Sequence, residues 1–160
     1  MLLPPQEVLV FFLPAMVANL ALYLTGRLYG PAVVVPLDLK HRVRGRRVVG
    51  DGRGLTSLPR ALAAGMLCGA FQGRLEEAAV LALGAQLGMV CNSLVKRARG
   101  LSQGDPHRPW DHLDFVLGAG FVYALQWGLE WPLLISGVVY CGLCHLVLGN
   151  LIRGALERES

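Results

Sequence analysis

Charge is what this chain lacks most: Asp, Glu, Lys and Arg make up 16% of its 160 residues, against 54% hydrophobic residues. Mean hydropathy is +0.48. Soluble domains carry about 25% charged residues, so an ordinary water-soluble domain is excluded and a polytopic membrane protein is the natural class. A disulfide framework is missing too. Cys68, Cys91, Cys141 and Cys144 all lie inside apolar runs, where cysteine reads as a small buried hydrophobe. The opening MLLPPQE lacks the basic stretch of a cleavable leader, and the apolar run behind it outlasts a leader's, so it reads as a membrane span. The formal charge of +4 is small and unevenly spread, which argues for no nucleic-acid partner and reports topology instead.

What is present is a series of apolar runs over 8–24, 57–73, 78–95, 113–129 and 131–152. They predict an all-α integral membrane protein with about five transmembrane helices, a single domain over 1–160. In the second run the apolar stretch Ala61–Gly73 is short, and with Leu55–Pro59 added it crosses at a tilt. Pro14 is placed to kink the first span, and Asn19 needs a partner helix, since an amide cannot face lipid alone. Gly65, Gly69 and Gly73 recur every fourth residue, as do Gly84 and Gly88, giving faces on which helix backbones approach closely, within the chain or in a homodimer. Trp127 and Trp131 are placed for an aromatic belt at one interface.

The cations set the orientation. Eight lie between Arg27 and Arg60, four in the stretch after the third run (Lys96, Arg97, Arg99, Arg108) and two in the tail, so 14 of 15 fall on one face and only Arg74 on the other. The positive-inside rule makes that face cytoplasmic, with the N-terminus outside and the C-terminus inside. A multi-pass cell-membrane protein with two polar cytoplasmic loops follows.

Ser93 to Asp114, SLVKRARGLSQGDPHRPWDHLD, is the focal polar island between apolar runs. Lys96 and Arg97 are adjacent cations, and Asp111 and Asp114, at i and i+3, share one face of a helix. Cations beside paired carboxylates suit a phosphate ligand and the divalent metal that accompanies it. Blander roles exist for each: helix capping for the two acids, snorkelling for the two cations, and turn formation for Asp38 and Asp51. The earlier loop adds Gly50-Asp51-Gly52-Arg53-Gly54, whose glycines permit close backbone approach to an anion. CGLCH at 141–145 matches a haem-attachment pattern, but mid-span it has no aqueous pocket, and His145 reads as a polar residue bonded across the bundle.

With both loops read, the chain resembles the CDP-archaeol synthases, small integral-membrane relatives of the CDP-diacylglycerol synthases (phosphatidate cytidylyltransferases). The resemblance rests on Pro36 and Asp38, the Gly50-Asp51-Gly52-Arg53 loop, Ser93-x-x-Lys96-Arg97, and Asp111-x-Leu113-Asp114-Phe115. It departs from the family where Gly88-Met89 stands for the usual Gly-Asp, removing a carboxylate, and where Arg53-Gly54 stands for a usual Lys-Thr.

The resemblance implies transfer of a cytidylyl group from CTP to an isoprenoid glycerol ether lipid phosphate, giving CDP-archaeol and pyrophosphate. It further implies Mg²⁺ held by Asp111 and Asp114, Lys96 and Arg97 as catalytic partners, and Asp38, Asp51, Gly52, Arg53 and Ser93 at the substrates. Arginine at 53 holds phosphate as a planar fork rather than a point charge. Three other readings stand beside this one. They are a diacyl phosphatidic acid acceptor, a degenerate member that binds lipid or a partner (favoured by Met89), and a small transporter. The last is disfavoured because the polar residues cluster at one surface rather than the midplane.

Overall fold

The computed structural model describes residues 1–29, 37, 42–43, 46–47, 54–102 and 105–156. Helix α1 spans Pro5–Tyr29; a two-residue antiparallel ladder, β1 (Arg42–Val43) with β2 (Arg46–Arg47), lies in the long loop. Then come α2 (Ser57–Phe71), α3 (Leu75–Ala98), α4 (Trp110–Trp127) and α5 (Trp131–Leu156). Each apolar run of the sequence falls on one helix. Among the described residues, three helices are long and apolar enough to cross a membrane, over Pro5–Leu24, Leu75–Ala98 and Trp131–Leu151. Helix α2 has 15 residues, about 22 Å at roughly 1.5 Å per residue, which is short of a hydrocarbon core of about 30 Å.

Two glycines in the left-handed region end helices. Gly100, at φ +80°, closes α3 in a Schellman turn: its N–H donates to the Arg97 carbonyl and the Leu101 N–H to the Lys96 carbonyl, 3.0 Å each. Gly73, at φ +70°, does the same for α2 and turns the chain straight into α3.

Helix α1 touches all four other helices, and α3 packs most extensively on α4. Small residues make this possible. Gly84 and Gly88 of α3 lie against Gly118 and the Asp114 carbonyl of α4, so closely that a Cβ at any of the three glycines would overlap the facing backbone. Gly65 of α2 faces Ala82 of α3 and the Pro14 carbonyl of α1; Gly69 faces Ala78. These glycine faces are therefore occupied by intrachain packing, which removes the sequence-based reason to expect them at a homodimer interface or around lipid chains.

Pro14 has a specific consequence. Lacking an N–H, it leaves the Val10 carbonyl without its helical donor, and that oxygen instead accepts from Gln72 Nε2 at 3.0 Å. The neighbouring Phe11 carbonyl accepts from the Arg74 guanidinium at 2.7 Å. Arg74 also pairs with Glu77 at 3.2 Å and lies over the Phe11 ring. Gln72, with Arg74 at 3.4 Å from the same oxygen, thus meets the carbonyl that the proline leaves open.

Candidate active site

The site forms where the C-terminal end of α3 meets the N-terminal turn of α4. The Gly84–Gly88–Gly118 contact holds the two backbones together, so side chains one turn further along α3 meet those that open α4. Asn92, 9% exposed, sits at the centre. Its Nδ2 donates to Asp111 Oδ1 and to Asp114 Oδ2, both at 2.9 Å. Lys96 Nζ reaches both oxygens of Asp111, at 3.1 and 3.2 Å. The His107 amide donates to Asp111 Oδ2 at 2.7 Å.

The network fixes its own proton positions. Arg99 lies 3.1 Å from His107 Nε2, and a guanidinium can only donate, so Nε2 accepts and the proton sits on Nδ1. That Nδ1–H donates to Asn92 Oδ1 at 2.8 Å, leaving both amide protons of Asn92 for the two carboxylates. A relay Arg99–His107–Asn92 thereby orients Asp111 and Asp114. Burial pushes the Asp111 carboxyl up, but the His107 amide, Lys96 and Asn92 outweigh it and hold the group below its ordinary value of 3.8.

The residues expected from the sequence divide into three groups. Lys96, Asp111 and Asp114 are brought together. Ser93 is buried and donates back to the Met89 carbonyl at 2.9 Å, while Arg97 donates to the Leu101 carbonyl at 2.6 Å, bracing the end of α3. Asp38, Asp51, Gly52 and Arg53 lie outside the described residues; the glycine after them, Gly54, is pinned to α2 by Ser57, whose Oγ donates to its carbonyl at 2.8 Å. Asp105 closes a local turn, accepting from the Ser102 N–H at 2.5 Å. Met89, 2% exposed, belongs to the apolar core with Phe12 and Phe115. Asn92, His107 and Arg99 were not anticipated. Asn92 lies one helical turn before Lys96, a signal that could have marked it, whereas nothing in the sequence singles out His107.

Two carboxylates are hard oxygen donors, and among the described residues no group of three or more His, Cys, Asp or Glu converges. Such a pair fits Mg²⁺, which takes one or two carboxylates and completes its shell with substrate phosphates and water.

Beside the carboxylates opens a groove of about 400 Å³ between α1, α4 and α5. Asp111 is part of its wall, as are Arg108, His112 and His145, while Leu13 and Leu148 contribute to its apolar length. His145 does bond across the bundle: its Nδ1 lies 3.0 Å from His112 Nδ1.

A bundle of apolar helices with a charged cluster at one end, joined to a groove lined by membrane-crossing helices, defines a multi-pass membrane enzyme. Similarity to known proteins narrows the class. Residues 74–157 match the family described as "CarS-like: CDP-archaeol synthase". The chain is 36% identical over 146 residues to the CDP-archaeol synthase of Methanopyrus kandleri, covering 86% of this chain and 79% of that protein. It is 35% identical over 150 residues to that of Pyrobaculum calidifontis, covering 88% and 89%. A solved structure described as an intramembrane enzyme for archaeal membrane lipids biosynthesis superposes with a TM-score of 0.74 at 30% identity, covering 91% of this chain and 94% of that one. The chain belongs to the CDP-archaeol synthase family, and is a cytidylyltransferase enzyme.

Proposed function

We propose that this enzyme transfers the cytidylyl group of CTP to the phosphate of an archaeal glycerol ether lipid, with Mg²⁺ as cofactor. The reading includes five spans in a single transmembrane domain, an outer N-terminus and a site open to the cytoplasm, where CTP is found. One observation carries it: Lys96, Asn92, Asp111 and Asp114 converge at the polar end of a groove that runs along α1 and α5.

A lipid phosphate oxygen forms a bond to the α-phosphorus of CTP as the bond to the β-phosphate oxygen breaks and pyrophosphate leaves. The acceptor is already ionised at neutral pH, so little base catalysis is needed; the task is to align two anions that repel each other. Asp111 and Asp114 would hold Mg²⁺, which supplies charge neutralisation of the triphosphate. Lys96 keeps Asp111 ionised and adds a positive charge beside the phosphates. Asn92 and His107 hold both carboxylates in one geometry. Arg97, Asp51, Gly52 and Arg53 are the proposed phosphate contacts, with Asp38 and Ser93 also assigned to substrate binding.

The test is direct. Purified protein in detergent, with labelled CTP, Mg²⁺ and an archaeal ether lipid phosphate or a diacyl phosphatidic acid, is expected to form a CDP-lipid with the ether acceptor preferred. Failure to form product with either lipid overturns the reading, and preference for the diacyl lipid reassigns the acceptor.

A further inference from the structure

We propose that the groove between α1, α4 and α5 seats the acceptor lipid, with its phosphate recognised by Arg108 and the His112–His145 pair and its hydrocarbon chains running along α1 and α5. This rests on the reading above and adds to it which face of the bundle the lipid occupies.

The wall of the groove combines two chemistries. Arg108, His112, His145 and Asp111 are polar or charged; the rest of the wall includes Leu13, Met16, Leu20 and Leu148. Among these polar groups the one anion is Asp111, whose carboxylate is already engaged by Lys96 and Asn92. The wall therefore offers a phosphate the Arg108 guanidinium and one imidazole Nε2–H, that of the ring whose Nδ1 accepts in the His112–His145 bond. Asp111 forms both the wall of this groove and part of the carboxylate pair, so a phosphate seated here lies beside the proposed Mg²⁺ site.

The histidines are held for this role rather than placed at random. The two Nδ1 atoms 3.0 Å apart require one ring to donate and the other to accept. Each ring thus fixes the other's tautomer, and the Phe115 ring packs beside His145, tilted 45° to it with ring centroids 5.5 Å apart. Helices α1 and α5 carry many exposed apolar side chains along their length, including Leu13, Leu20, Val147 and Leu148, and both contain segments long enough to cross the bilayer. A chain entering sideways from lipid would therefore meet apolar surface until the phosphate reaches Arg108.

Two variants test this on one wall of the groove, a helical turn apart on α5. His145→Leu keeps an apolar side chain of similar size but removes the imidazole. Gly149→Phe adds bulk to the groove wall beside Leu148: a Cβ at Gly149 meets nothing within 4 Å, so the substitution starts from open space. Each is expected to raise KM for the lipid phosphate about tenfold, the scale of one lost hydrogen bond to a charged group or of displaced chain methylenes, with KM for CTP unchanged. In a separate binding measurement, the ether lipid phosphate should raise the melting temperature of the wild type but not of Gly149→Phe, and free inorganic phosphate should raise neither. Unchanged lipid KM in both variants overturns the groove while leaving the transferase reading intact. If the wild type makes no CDP-lipid yet shows the Gly149-dependent melting shift, the groove stands and the transfer reading falls. An equal shift with inorganic phosphate overturns the chain seat.

Discussion

The α-carbon of Gly88 lies against the carbonyl oxygen of Asp114, so closely that any Cβ at position 88 would overlap that oxygen. One turn along α3 from this contact, Asn92 bonds the Asp114 side chain. The separation of two helix backbones thus sets the separation of two catalytic candidates.

Gly88→Ala is expected to force α4 away from α3 by a fraction of an ångström to an ångström. Overpacking of this kind costs about 1–3 kcal/mol, and a shift of that size at the site is expected to reduce CDP-lipid formation by roughly tenfold to a hundredfold. Thermal melting in detergent and initial rates on the same samples check both.

Asp111→Asn and Asp114→Asn keep the shape of the site and remove one charge each. Both are expected to lower turnover by about a hundredfold or more, the scale seen when a preorganised electrostatic contact is lost. Lost turnover with retained melting temperature separates the chemistry from folding.

Asn92→Asp replaces two donors with a third carboxylate. Like charges at hydrogen-bond distance raise carboxyl pKa values, so the acid limb of the pH–rate profile is expected to move to higher pH. Asn92→Ala removes the bridge without adding charge, and is expected to lower the rate without that displacement.

The depressed Asp111 carboxyl ties stability to pH. Because its folded value lies below the ordinary 3.8, its contribution is fully present above the unfolded value and is lost as pH falls through the folded one. Lys96→Met removes a group that holds the value down. In metal-free detergent, the acid-induced fall in melting temperature is therefore expected to be smaller in Lys96→Met than in the wild type, with its onset unchanged because the unfolded-state value sets it.

The Pro14 break and Arg74 should be thermodynamically coupled. Arg74→Leu leaves the Phe11 carbonyl without its guanidinium donor and is expected to cost about 1–3 kcal/mol. With Pro14→Ala, the backbone N–H at 14 is restored and can donate to the Val10 carbonyl, which Arg74 also reaches at 3.4 Å, so Arg74→Leu should cost less in that background. A double-mutant cycle of unfolding free energies measures the difference.

Much of this architecture was legible in the chain. Each apolar run became a helix because an uncharged stretch of helix-compatible residues has no other way to satisfy its backbone in lipid. Lys96, Asp111 and Asp114 were legible because charge beside a long apolar run is costly unless it is used. Other features were not readable from local pattern. The short reach of α2 depends on Gly73 turning the chain early, and of the two uses open to the glycine faces, within the chain or between two chains, packing within the chain is the one observed at Gly65, Gly69, Gly84 and Gly88. Arg97, adjacent to Lys96 in sequence, turns to the Leu101 carbonyl because neighbours along a helix project about 100° apart.

By itself, then, the sequence determined the helices, the uneven distribution of cations and the motifs of the family, all properties of hydropathy and short spacing. The tertiary structure alone decided which side chains meet. Asn92 finds Asp111 across 19 positions and His112 finds His145 across 33. Those meetings depend on how closely α3, α4 and α5 approach one another, and that distance is set by contacts such as Gly88 on Asp114, which no local pattern specifies.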